Sequence, residues 1–368
     1  MPECENTLGE ERAPVITILV PVYNVQQYLR ECLDSLLAQT FADFEVICIN
    51  DGSTDSSRQI IGEYLLKDPR FQVIDKENSG YGASMNVGLA AARGEYLGIL
   101  ESDDFIDPET IETLYQAARH YDAQVVKANC WFYWSQPSKK DELFWLVPED
   151  QVNRLVNTQK EHDIFYLKPS IWSALYKRDF LAENDVRFLE TPGASFQDSG
   201  FNFRVWASSE RTVFLREAFL HYRQDNEGSS VNSATKAFCV CDEYDGMERY
   251  LSQRPALEPK LRPVMAKMRF DSYMWNYERL SAELQMPFLE RFRADFLAEQ
   301  TTGNINLELF EPWKVSELKT IIKSPQRFHA ERLAANYSTP LGKAAHYFRL
   351  GGLPLLWQLT KSKILRRH

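Results

Sequence analysis

The chain has no run of the roughly 18 apolar residues that a membrane-spanning helix needs. Its longest candidate, residues 348–359, is broken by Arg349, Gly351, Gly352 and Pro354. Positive charge is also scarce: 42 Lys and Arg stand against 52 Asp and Glu, a formal net charge of −10. A general nucleic-acid binder needs a basic face to neutralise phosphates, so that class is excluded. Cysteine is sparse and unpatterned: Cys4, Cys32, Cys48, Cys130, Cys239 and Cys241 form neither a zinc-spaced pair nor a disulfide framework. Free cysteines in mostly apolar surroundings fit a reducing compartment. Residues 1–13 are acidic and polar, without the basic start and apolar stretch of a secretory signal, so a cytoplasmic chain is expected. The glycine loop at 78–86 carries no dinucleotide fingerprint, because Gly80 and Gly82 have no third glycine three residues on. A nicotinamide dehydrogenase is therefore disfavoured.

What is present suffices for one large domain or two smaller ones, with 368 residues of which 44% are hydrophobic. Residues 15–21 form a β-branched run ending in proline, the pattern of a central strand in a parallel sheet. Asn24 is placed to cap the following helix, in which Val25, Tyr28, Leu29, Cys32, Leu33, Leu36 and Leu37 recur at helical spacing. Strands are expected at 44–49, 71–74 and 96–100, with helices over 56–66 and up to Arg93 between them. This alternation predicts an α/β fold: an open, mostly parallel sheet flanked by helices. Ligands of such sheets bind outside the carboxyl ends of the strands. Tyr23, Asp51 and Asp103 each follow a different strand end, so they should converge on one crevice.

The strand at 96–100 stops abruptly at Glu101, Asp103 and Asp104. Clustered carboxylates at a buried strand end repel one another and are costly to desolvate. A bound divalent cation, Mg2+ or Mn2+, would remove that cost while sharing oxygen ligands with a substrate phosphate. The plainer reading is an acidic loop capping the helix near Asp107 and Pro108.

Together these motifs resemble the family 2 glycosyltransferases, which have the GT-A fold. The matching pieces are residues 20–24 (VPVYN), 50–55 (NDGSTD), 86–96 (NVGLAAARGEY) and 101–104 (ESDD). Their order and spacing agree over residues 14–225. The resemblance implies that Pro21, Tyr23 and Asp51 hold the nucleobase and ribose of a donor. It implies that Asp103 and Asp104 serve the ribose and the cation, with Glu101 as a further metal residue at a place where Asp is usual. Asp55 is read instead as part of a helix N-cap, worth about 1 kcal/mol. At residues 197–198 the family carries a Glu-Asp pair at a helix start, the Asp acting as general base. Here Gln197 replaces the Glu and Asp198 remains, so Asp198 is the implied base, with the helix dipole as a competing reason for its placement. Arg223 and Ser229, in a basic residue followed by a Gly-Ser turn, are candidates to close over a diphosphate, with a plain exposed turn as the competing reading.

The aromatic run at 131–134 reads as core, with Trp134 also a possible acceptor contact, and residues 135–150 as a loop over the active face. Residues 168–180 read as an acceptor-side segment with a helix carrying Leu175, Phe180 and Leu181. His221 reads as a strand residue satisfied by a neighbour. The domain expectation is a flexible tail at 1–13, a GT-A domain at 14–235, a helical domain at 236–340 and a basic tail at 341–368. That tail has six Lys or Arg and no Asp or Glu, so it can lie on an anionic membrane surface or dock as a helix on its own domain. The resulting expectation is a cytoplasmic, metal-dependent, inverting glycosyltransferase, peripheral on the inner face of the membrane if the tail binds there. It would move a sugar from a nucleotide-sugar donor, a UDP-sugar, to a hydroxyl of a glycan or lipid-linked acceptor in surface polysaccharide assembly. The alternatives are a nucleotidyltransferase making nucleotide-sugars and a non-catalytic nucleotide-sugar-binding scaffold.

Overall fold

The computed structural model describes residues 12–191, 193, 195–226 and 236–334. The chain divides into two compact units, residues 1–229 and 230–368. The first unit is built on a mixed sheet with strand order β3-β2-β1-β4-β9-β6-β10-β5. Its parallel half alternates strands and helices: β1 (Ile16–Val22), α1 (Leu29–Leu37), β2 (Phe44–Asp51), α2 (Ser57–Lys67), β3 (Phe71–Lys76), α3 (Tyr81–Ala91) and β4 (Tyr96–Ile99). β1 and β2 are buried throughout, which is why their sequences read as continuous β-branched runs rather than alternating ones. α1 buries Leu29, Cys32, Leu33 and Leu36, one stripe at helical spacing.

The second half of the sheet departs from the local patterns. After β5 (Phe105–Ile106) and α4 (Thr110–Tyr121) comes β6 (Val125–Trp134), to which β7 (Lys140–Phe144) pairs antiparallel. Part of the expected 135–150 loop is therefore a hairpin strand. β9 (Ala174–Lys177) lies antiparallel between β4 and β6, with the short β8 (Leu155–Val156) before it in the chain. Leu175, expected on a helix, sits in this strand, and the helix α5 is only Arg178–Glu183. The pairing is long-range and leaves no local period to read. α6 (Gln197–Ser208) follows, and then one long strand, β10 (Thr212–Arg223), with register shifts on either side of Ala218.

The second unit is helical: α7 (Cys239–Ser252), α8 (Glu258–Arg279), α9 (Ala282–Thr301), α10 (Pro312–Lys323) and α11 (Pro325–Ala334). α8 ends at Arg279, and α9 starts after Ser281. The aromatics Phe270, Tyr273, Phe288 and Phe292 pack its core, while Trp275 is half-exposed. Among the described residues no helix is long and apolar enough to cross a membrane. The basic tail at 341–368 and Ser229 lie outside the described residues.

Candidate functional site

Three parallel strands end on the same side of the sheet, and the polar residues after them meet there. Pro21 is buried in β1 opposite Ile49, and Tyr23 just beyond is 53% exposed, an open aromatic face at the strand end. Asn24 does not cap its own helix. It takes a positive φ of 50°, and its side-chain oxygen accepts from the Thr54 amide at 2.8 Å and the Asp55 amide at 3.3 Å. Asn24 thus ties the loop after β1 to the loop after β2. Asp55 accepts from the Ser57 amide at the start of α2 and from the Gln26 amide, a cap and a cross-tie together.

Asp51 ends β2 directly opposite Lys76 in the parallel register. Its Oδ1 accepts from the Lys76 ammonium and from the Ser79 amide at 2.9 Å, and its Oδ2 accepts from the Gly80 amide at 3.1 Å. Burial opposes its charge, but the Lys76 hydrogen bond and the Ser79 amide outweigh it and hold the carboxyl below its ordinary range. Lys76 was not foreseen from sequence. Its signal was present in the position of a lysine at the end of the strand neighbouring Asp51.

The glycine loop packs against the segment that precedes α6. Gly80 has φ +93°, and a Cβ there would lie 2.9 Å from the Gly193 amide nitrogen. A Cβ on Gly82 would lie 2.0 Å from the Leu189 carbonyl oxygen. Only glycine lets the start of α3 approach residues 189–193 this closely. The Tyr81 amide donates to the Gly193 carbonyl across the seam at 3.1 Å. Gln197, which stands where the family has Glu, closes the same loop: its amide nitrogen donates to Thr191 Oγ1 at 2.9 Å and to the Gly193 carbonyl at 3.2 Å, and its oxygen accepts from the Ser195 amide. Its neutral amide serves as a staple.

The acidic cluster is internally unbalanced. Glu101 accepts from the Tyr81 hydroxyl at 2.6 Å, and its carboxyl is pushed up to about 8, first by burial and further by Asp103 and Asp198. Asp104 is buried; its Oδ1 accepts from the Arg223 amide at 2.8 Å, and its Oδ2 has no hydrogen-bond partner among the described residues. Burial first, then Asp103, raises its carboxyl well above the ordinary range. Asp103 Oδ2 accepts from Asn226 Nδ2 at 2.8 Å. Asp198, half-buried at the start of α6 after the left-handed Phe196 (φ 59°), accepts from the Ser199 amide at 2.8 Å. Burial raises its carboxyl too, with the Ser199 amide and the Lys168 charge opposing.

Among the described residues, no three His, Cys, Asp or Glu side chains are gathered as a ready metal site. Glu101, Asp103 and Asp104 are therefore not a preformed ligand triad, and Glu101 is turned to Tyr81. The buried Asp104 oxygen, without a partner among the described residues and beside Asp103, nonetheless fits a hard cation that arrives with a diphosphate and draws only one or two carboxylates from the protein. The Arg223 guanidinium, expected over a diphosphate, is instead buried beneath the acidic loop and hydrogen-bonded to it. Trp134 is covered by the Lys140 ammonium at 4.7 Å, and His221 lies between Asp141 at 2.7 Å and Asp107 at 3.1 Å, as a satisfied strand residue should.

A family model and several known proteins are similar to this chain. A family model described as glycosyl transferase family 2 matches residues 17–178. The chain is 32% identical over 228 residues to the uncharacterized glycosyltransferase EpsJ of Bacillus subtilis, a match covering 58% of this chain and 62% of that protein. It is 32% identical over 221 residues to the glycosyltransferase GlyG of Streptococcus pneumoniae, covering 57% of this chain and 71% of that one. The crystal structure of S. aureus TarS 1–349 in complex with UDP-GlcNAc superposes with a TM-score of 0.67 at 20% identity, covering 85% of this chain and 91% of that one. That likeness establishes the shared fold, of GT-A type. A fold, an ordered set of strand-end motifs and relatives of this similarity lead to one assignment: the chain belongs to glycosyltransferase family 2.

Proposed function

We propose that this protein is an inverting, metal-dependent glycosyltransferase that moves a sugar from a UDP-sugar to a hydroxyl of a glycan or lipid-linked acceptor. One observation carries the reading: Asp51, Glu101, Asp103, Asp104 and Asp198 are brought to one end of one sheet, where burial and the neighbouring Asp103 push the Glu101 and Asp104 carboxyls up. The glycosyltransferases among the relatives and the UDP-GlcNAc held by TarS support the donor class. Pro21, Tyr23 and Asp51 are assigned to the nucleobase and ribose. Asp51, kept ionised, is a fixed acceptor suited to a base N–H, and the exposed Tyr23 ring offers a stacking face.

Asp103 and Asp104 would hold the cation, which when bound neutralises charge on the diphosphate leaving group. Asp198 takes the proton of the acceptor hydroxyl as its oxygen bonds to the anomeric carbon. The bond from that carbon to the diphosphate oxygen breaks, and the nucleoside diphosphate departs with the electron pair. The reaction is assigned to residues 14–235 and an accessory role to the helices of 236–340. Peripheral membrane contact, on the cytoplasmic face, is assigned to the basic tail at 341–368.

The test is Asp198→Asn. Transfer or donor hydrolysis should fall by about 10²–10⁴-fold, with UDP binding retained. Unchanged turnover removes Asp198 from the base role, and release of pyrophosphate rather than UDP moves the protein to nucleotidyl transfer.

A further inference from the structure

We infer that Arg223 is a positioning residue that braces the acidic loop from beneath, with Glu31 of α1 as its counter-anchor. The Arg223 side chain is 2% exposed, and each of its three guanidinium nitrogens faces a protein oxygen. Nε donates to the Asp103 carbonyl at 2.9 Å, one terminal nitrogen donates to Glu31, and the other lies 3.6 Å from Asp225. The ring centroids of Tyr28 and Tyr133 lie 4.6 and 4.9 Å from the guanidinium carbon. The Arg223 backbone amide donates to Asp104 Oδ1, so one residue fixes the main chain of Asp103 and the side chain of Asp104.

The brace extends sideways. Asp225 Oδ2 accepts from the Ser135 amide and hydroxyl, both at 2.6 Å, and from the Gln136 amide at 3.0 Å. The loop leaving β6 is thereby tied to the same hub. Burial of the guanidinium between Glu31, Asp225 and the Tyr28 and Tyr133 rings leaves little of it open to a phosphate. Arg suits this place because its planar fork makes several directed bonds at once; Lys supplies charge without that geometry.

Two measurements decide the matter. The first, hydrogen exchange of peptides spanning 101–107, uses the full chain without ligand. Glu31→Gln and Arg223→Lys should each speed exchange there by about tenfold, the equivalent of one charge-assisted hydrogen bond, and the double variant should add little to Arg223→Lys. Glu31 is 43% exposed, so its variant is the safer to fold if Arg223→Lys is not. The second is calorimetric titration, and it rests on the function proposed above. Glu31→Gln should weaken UDP with Mn2+ while leaving uridine unchanged. Exchange at 101–107 that ignores Glu31→Gln overturns the brace. So does an Arg223→Lys variant that loses UDP without metal while Glu31→Gln binds normally, since Arg223 would then touch phosphate directly. Failure of the wild type to bind UDP would instead remove the functional reading, with the exchange data still deciding the brace.

Discussion

The two ends of the same sheet treat a buried carboxylate in opposite ways. At the amino end of β2, Glu45 accepts from Thr17 Oγ1 at 2.7 Å, from the Arg93 amide and guanidinium at 3.1, 3.0 and 2.7 Å, and from Gln72 at 3.0 Å. Burial opposes its charge, but Arg93 and Thr17 outweigh it and lower the carboxyl below its ordinary range. At the carboxyl end of β4, Glu101 and Asp104 have fewer partners among the described residues, and both are raised. The first end is settled and the second is left charge-frustrated. Stability has been spent where a ligand can return it, which is the physical signature of a binding site.

The sharpest way to break this contrast is to neutralise Asp104. Asp104→Asn should cut metal-supported UDP binding by about 100-fold while raising the unfolding midpoint, because a buried, repelled charge is removed. Calorimetry and thermal melts on one sample check both; a fall in both would make Asp104 an ordinary structural residue. The mirror experiment at the settled end is Glu45→Gln, which should cost about 2 kcal/mol in urea unfolding without changing UDP affinity.

A smaller effect is expected from pH. The folded carboxyl of Glu101 lies at about 8 against an ordinary 4.5, so the folded protein binds its proton more tightly than the unfolded chain does. Its contribution to stability is complete below about 4.5 and is lost as pH rises through about 8. Glu101→Gln should flatten that decline in melts taken from pH 5 to 8.5, and a slope unchanged by the substitution would place the titration elsewhere.

The parallel half of the fold was legible because each buried strand is a continuous apolar run that stops at polar residues, and strand ends locate ligands in such sheets. Tyr23, Asp51 and Asp103 could be grouped on that ground alone. β9 was not legible: Ala174–Lys177 is four residues long and is held by β4 and β6 from distant parts of the chain. The partners of charged groups were equally hidden. Arg223 looks like a free basic residue before a turn, and only its register beside Tyr133 and its reach to Glu31 reveal it as buried. Gly80 and Gly82 showed in sequence only which fingerprint they lack, whereas their purpose is the close approach to residues 189–193.

That approach has a practical corollary for anyone wishing to redesign the protein. The backbone contact at Gly82 leaves no slack between the helix reached from Asp51 and the segment that leads to Asp198. Grafting a longer or bulkier segment at 189–196 to change the acceptor would shift the start of α3 and loosen the Gly80 amide from Asp51. Any redesign near this seam should therefore keep the Leu189 backbone and Gly82 as they are.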